Sequence, residues 1–294
     1  MLLTVHHVAA SGGSIVSQVL AASTNSVLVS EINPFGTLYR ELEPFYDPTS
    51  LLWHLVYNSK DLSPTLKLKY FFGQLDISID HVKSLSKNLL LRDHSHTTFN
   101  FLNKNQTFNN KKVDSFFLES LKYFYSKKKD IFDFPRIKPL LSIRHPLDSF
   151  IASRKKNWLF EYCGDVVNID NYCKGLLNFQ NYMENVEFAK VIRYEDLCMN
   201  FESSLNELFL NLDINYKIPT LSEVNRIKVT GKSGRKSNDI EIRERLLVDV
   251  DDCLKNQIKE SIYYKQFCRK NNYNPNYNQP PINNKKFVSI VDKS

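Results

Sequence analysis

Leu2-Leu3-Thr4-Val5-His6-His7-Val8, then Ala9-Ala10-Ser11-Gly12-Gly13-Ser14, then Ile15-Val16-Ser17-Gln18-Val19-Leu20-Ala21-Ala22 is the stretch on which the reading of the chain turns. The first segment has the apolar run of a buried strand, the second the small residues of a tight loop, and the third the spacing of a helix. A strand, a glycine-containing loop and a helix in that order build an anion site. The glycines let the backbone approach a ligand, and the free N–H groups of the first helical turn point at it. The same pieces also make an ordinary βα turn. The ligand reading of Ser11, Gly12, Gly13 and Ser14 therefore depends on the rest of the chain.

Outward from that stretch, Ser26-Val27-Leu28-Val29-Ser30 is a second strand, ending in a loop at Glu31-Ile32-Asn33-Pro34. Residues 38–85 mix aromatics, Leu and polar groups at helical spacing, broken at Pro44, Asp47-Pro48 and Pro64, and predict several short helices forming a cap. Asn88-Leu89-Leu90-Leu91-Arg92 is a third strand, apolar at its centre as in a two-sided parallel sheet, and it leads into Asp93-His94-Ser95-His96. An amphipathic helix is expected around 113–125. Pro139-Leu140-Leu141-Ser142-Ile143 is a fourth strand, and Arg144-His145-Pro146 turns the chain into a helix over about 147–156. A fifth strand, Phe188 to Arg193, enters Tyr194-Glu195-Asp196-Leu197. Helical segments follow at 200–212 and 240–268, with a Gly/Ser/Lys loop at 229–238 between them. Strands alternating with helices predict one doubly wound α/β domain over residues 1–270 with a mostly parallel central sheet. The Asn- and Pro-rich residues 271–294 read as a poorly ordered tail. In such a sheet ligands bind beyond the carboxyl ends of the strands. Each strand here ends in small or polar residues there.

The chain has 294 residues, 42% hydrophobic and 24% charged, ordinary globular values. Its net charge of +7 suits a polyanionic ligand and decides nothing alone. The apolar N-terminus lacks a basic leader and is interrupted by two histidines, which argues against a secretory signal. No run is long and apolar enough to span a bilayer. The five cysteines are scattered without metal-ligand spacing and read as reduced thiols. These features describe a cytoplasmic chain with no metal and no stable membrane insertion.

Two further stretches are suited to anions. Arg144, at a strand end before a helix, can hold a phosphate in a forked contact or merely cap a turn. Gly231-Lys232-Ser233-Gly234-Arg235-Lys236-Ser237 offers flexible backbone, hydroxyls and three cations, or is a solvated linker. It contains Gly-Lys-Ser but is not a Walker A motif, because Arg226 stands where that motif needs glycine.

Four segments together resemble the sulfotransferases that use 3′-phosphoadenosine 5′-phosphosulfate, and look closest to a bacterial branch. Ala10-Ser11-Gly12-Gly13-Ser14 looks like the family's phosphosulfate loop. Ser142-Ile143-Arg144-His145-Pro146-Leu147-Asp148-Ser149 looks like its 3′-phosphate strand-turn-helix. Ile192-Arg193-Tyr194-Glu195-Asp196-Leu197 is similar to its Tyr-Glu-Asp-Leu segment, and Ser233-Gly234-Arg235 to the loop that closes over the nucleotide. The resemblance implies a P-loop-like three-layer fold with a helical cap. It also implies in-line transfer of a sulfuryl group to a hydroxyl or amine of a carbohydrate, lipid-linked sugar or small metabolite, with no metal and no nucleic-acid partner.

On that resemblance Ser11, Gly12, Gly13, Ser14, Arg144, Ser233, Gly234 and Arg235 bind the co-substrate. His94 is the base and Glu31 a rival base, or a residue orienting substrate or a histidine. His94 can instead be a structural histidine. As a base, a neutral imidazole near its unperturbed pKa of ~6.5 accepts a proton at neutral pH. Two positions depart from the family. Ala10 replaces the loop's basic residue, leaving His7, Arg92 and Lys155 to supply the charge. Ala152 falls at the 3′-phosphate serine, with Ser153 one step around the helix. Tyr194-Glu195-Asp196 reads as a brace or helix cap. Trp158 and the Arg154-Lys155-Lys156 run line an acceptor cleft or form a solvated helix face. The competing readings are a nucleotide or sugar kinase, disfavoured by the missing Walker A lysine, a non-catalytic nucleotide- or polyanion-binding protein, and a degenerate sulfotransferase that only binds.

Overall fold

The computed structural model describes residues 2–32, 64–93, 95, 99, 101, 107–108, 111–112, 118, 121, 136–155, 159, 163, 166–229 and 250–276. Five strands, β1 (Leu2–His7), β2 (Ser26–Ile32), β3 (Asn88–Asp93), β4 (Ile137–Ile143) and β5 (Lys190–Arg193), form one sheet in the order β2-β3-β1-β4-β5. Every neighbouring pair is parallel. β1 lies at the centre, with Leu2 opposite Leu89 on one side and Ile137 on the other. This position accounts for its apolar run, because a strand flanked on both edges and covered on both faces meets no water. β2 runs through Glu31 to Ile32 after a shift in register beyond Val29, two residues further than its apolar run indicates. Pro139 is tolerated inside β4 because pairing with β5 begins only at Leu140.

Helices cover both faces. On one, α1 (Gly13–Ser23), α5 (Tyr194–Met199) and α6 (Phe201–Leu212) pack Val16, Val19, Leu20, Leu197, Leu205 and Phe209 against Leu3, Val5, Leu90, Leu140 and Ile192. On the other, α3 (Pro146–Arg154), α4 (Ile169–Glu184), α8 (Asp252–Glu260) and α9 (Ile262–Lys270) share a cluster with Leu141 and Ile143. α2 (Pro64–Ser84) packs Phe72, Leu75, Ile79 and Val82 on Leu2, Leu89 and Leu91. Each fully buried Leu, Val or Phe is worth about 1.5–3 kcal/mol, so these clusters dominate the stabilisation of the three layers.

Several expectations change. Pro64 opens a single long helix, α2, at its first position, where a missing N–H is harmless, instead of breaking one. α4 has no counterpart among the expected elements, nor has the short helix α7 (Leu221–Arg226), closed by a capping box between Thr220 and Glu223. Residues 38–63 of the expected cap, most of 113–125 and residues 277–294 lie outside the described residues. Packing does not stop at Lys270: Asn271 is buried and pairs both ways with Gln180, and the chain stays bonded to the body through Asn274 and Pro275. Residues 271–275 are thus held to the body. Among the described residues no helix is long and apolar enough to cross a membrane. The five cysteines are free, and burial pushes the Cys163 thiol up to about 11.

Candidate functional site

The sheet order reverses direction at β1. The chain leaves β1 for β2 and β3 on one side, then returns to β4 and β5 on the other. The crevice at the carboxyl end of β1 is thus the switch point at which open α/β sheets bind ligands. The β1–α1 loop occupies it. Ala10 and Gly12 both have left-handed backbone, with φ of 61° and 82°. Gly12 is required there twice over: an added Cβ would be strained at that φ and would lie 2.3 Å from the Tyr194 ring. At Gly13 a Cβ would lie 2.2 Å from the His7 ring.

α1 begins without a side-chain cap, and its first turn contains no acidic residue. The Ile15 and Val16 N–H groups bond to the Gly12 carbonyl. Among the described residues, the N–H groups of Gly12, Gly13 and Ser14 donate to no acceptor. Together with the helix dipole they form an anion cradle. Ser11, expected to present its hydroxyl to a ligand, is instead fully buried. Its hydroxyl donates to Val8 O at 2.8 Å and its carbonyl accepts from Ser142 Oγ. Ser11 shapes the loop; Gly12 and Ser14 are half-buried, and Gly13 is buried against the His7 ring.

Strand alternation decides which charges reach this loop. Leu90 and Ile192 belong to the α1-side cluster, so two residues further along each strand Arg92 and Tyr194 emerge on that side. Leu140 stands four residues before Arg144, an even step, and puts Arg144, just past the end of β4, on that side as well. Arg92, only 1% exposed, donates from Nη1 to Ser14 Oγ. Arg144 donates from Nη1 to Ala10 O at 3.3 Å, its guanidinium 5.3 Å above the Tyr194 ring. Two cations thus reach opposite ends of one loop from opposite sides of the switch point. Of His7, Arg92 and Lys155, Arg92 meets the loop through Ser14. His7 turns Nδ1 to its neighbour's carbonyl, Val8 O, and Lys155 lies exposed beyond α3. Since Val8 O can only accept, His7 Nδ1 carries the proton.

The one-residue step from Arg92 to Asp93 sends the carboxylate to the opposite face. There Asp93 Oδ2 accepts from His6 Nδ1 at 3.0 Å and from Ser95 Oγ at 2.8 Å, while His6 Nε2 meets Thr4 Oγ1. All four side chains are fully buried, and Ser95 Oγ also accepts the His7 N–H. This network ties the chain on either side of position 94 to β1. His94 itself lies outside the described residues, as do Ser233, Gly234, Arg235, Lys156 and Trp158; Glu31 is placed only as backbone within β2. Arg154 pairs with Asp251 at the surface.

On the far side of the crevice Ala152 is half-buried, while Ser153 is fully buried, as is Ser149 one turn earlier, and the Ser153 hydroxyl reaches Ala9 O at 3.5 Å. Tyr194-Glu195-Asp196 opens α5 as the expected brace. Asp196 forms a forked pair with Arg193. Glu195 Oε1 accepts the His145 N–H and Oε2 the Tyr273 hydroxyl, each at 2.8 Å. Burial pushes the Glu195 carboxyl above its ordinary value against the opposing pull of these donors and Arg144. Tyr273 had no local signal; its role comes from a contact 78 residues distant in sequence.

No family model and no curated protein matches the chain. Among solved structures it is similar to the sulfotransferase domain from the Synechococcus PCC 7002 olefin synthase, with 14% identity, 93% of this chain and 95% of that chain covered, and a TM-score of 0.44.

Proposed function

We propose that the chain is a sulfotransferase that takes a sulfuryl group from 3′-phosphoadenosine 5′-phosphosulfate and gives it to a hydroxyl or amine of a carbohydrate, lipid-linked sugar or small metabolite. The observation that carries this reading is the convergence of Arg92 and Arg144 on the two ends of a loop with three N–H groups that meet no acceptor among the described residues. It joins the four sequence segments that resemble this family.

In this reading Gly12, Gly13 and Ser14 hold the 5′ phosphosulfate, and Arg92 supplies from β3 the charge that Ala10 lacks. Arg144 holds the 3′ phosphate, with Ser233, Gly234 and Arg235 closing over the nucleotide. His94 takes the acceptor's proton, with Glu31 as the rival. A bond forms between the acceptor oxygen or nitrogen and sulfur, and the bond from sulfur to the bridging phosphate oxygen breaks. 3′,5′-Adenosine bisphosphate leaves with the electron pair. Positioning and charge stabilisation supply the rate.

Calorimetry with 3′,5′-adenosine bisphosphate beside ADP and ATP tests the reading. Selective binding of the bisphosphate, weakened in Arg144→Ala, is the expected outcome. Binding of ATP alone would overturn it in favour of the kinase reading.

A further inference from the structure

The segment after α9 closes a hydrogen-bonded circuit on the turn that carries Arg144. His145 gives its backbone N–H to Glu195 Oε1; Glu195 Oε2 takes the Tyr273 hydroxyl; and the next residue, Asn274, offers its carbonyl to His145 Nε2 at 3.1 Å. The Leu147 N–H donates to His145 Nδ1, so that nitrogen is the acceptor and Nε2 carries the proton toward Asn274. Both ends of the circuit are therefore on one residue, next to Arg144. Arg193 fastens the strap from below: Nη1 donates to Asn271 O and Asn272 O, and its guanidinium lies 5.2 Å over the Tyr273 ring.

We propose that Tyr273 is a positioning residue for the anion site: acting through Glu195, it fixes the Arg144–His145 turn and so the direction in which Arg144 presents its guanidinium. This inference rests on the donor site proposed above. Glu195 faces Arg144 and His145 from the β4–α3 turn and Tyr273 from the strap, with Arg193 and Asp196 on its own segment. The two donors need a carboxylate, whose two oxygens both accept. Burial holds the Glu195 carboxyl above its ordinary value, and the Tyr273 hydrogen bond pulls it back down. Donor affinity is thus present above that raised value and lost as pH falls through it. Removing the Tyr273 hydroxyl moves the loss to higher pH.

The test is made on the full chain with Tyr273→Phe and Glu195→Gln. Hydrogen exchange is read over residues 144–150 and over α1, and calorimetry with 3′,5′-adenosine bisphosphate is run across pH. In Tyr273→Phe, exchange over 144–150 rises roughly tenfold while α1 is unchanged, and bisphosphate affinity falls roughly tenfold with its acid midpoint shifted upward. Glu195→Gln, which like the protonated acid offers one accepting oxygen to two donors, binds at every pH with the weakened affinity of the acid limb and shows no midpoint. Unchanged exchange over 144–150, a rise spread over the whole chain, or an affinity loss with no shift of midpoint overturns the positioning role. If the turn loosens as expected but the unaltered protein binds no bisphosphate at any pH, the donor-site reading fails instead and the strap is reduced to a structural brace.

Discussion

The two cations of the crevice are held in different ways. Arg92 comes from β3 in the middle of the sheet, is almost fully buried, and is fixed by the strand itself and by Ser14. Arg144 stands one residue past β4, half-buried, and its direction depends on Tyr194 beneath it and on a turn tied to Glu195, Tyr273 and Asn274. Burial of a guanidinium is costly, so the β3 side is part of the core and its loss is felt by the whole fold. The β4 side is a mount fastened by a few hydrogen bonds. It can be weakened without unfolding the sheet. One crevice thus combines a cation built into the scaffold with a cation held by a removable brace.

Substitutions can break that contrast in order of size. Arg92→Ala leaves a buried void and an unanchored helix start; it is expected to cost about 3–4 kcal/mol in urea unfolding and to abolish bisphosphate binding. Gly12→Ala, which strains the left-handed backbone and drives a methyl into Tyr194, is expected to cost about 2–3 kcal/mol by the same measurement. Arg144→Ala is expected to leave stability within about 0.5 kcal/mol while lowering bisphosphate affinity about 30-fold by calorimetry. If Arg144→Ala destabilised the fold as much as Arg92→Ala, the two mounts would be equivalent. Ser153→Ala, which removes one hydroxyl from Ala9 O, sharpens the picture at the low end, with an expected loss of about 1 kcal/mol in stability.

The sequence was most legible where periodicity and position agree. The β1–loop–α1 unit, the four other strands and the carboxyl-edge placement of Arg144 follow from apolar runs bounded by turn residues. Parity within a strand also explains why Arg92 and Asp93 face opposite ways once the faces are known. The single helix α2 was obscured because Pro64 reads equally as a break and as a first helical residue. α4 carried a usable signal: Asn168 as N-cap, then Ile169, Tyr172, Cys173, Leu176, Phe179 and Met183 on one face. Its many Asn and Tyr residues weakened the amphipathic contrast. The direction of the Ser11 hydroxyl was not legible, because side-chain direction in this loop is set by two left-handed residues, of which Ala10 gives no hint. The strap was not legible at all. Asn271-Asn272-Tyr273-Asn274-Pro275 has loop composition, and what orders it are partners on β5, α5 and the β4–α3 turn.

The central position of β1 has a consequence for how the protein is made. β1 finds its two neighbours only after β3 and β4 have been translated, and parallel pairing at such separation is slow to nucleate. The bond from His145 to Asn274 spans a further 129 residues. A nascent chain stalled or clipped before that point can assemble the sheet and bury Arg92, yet leave Arg144 on an unfastened turn. Completion of the anion site would then report that synthesis had passed α9.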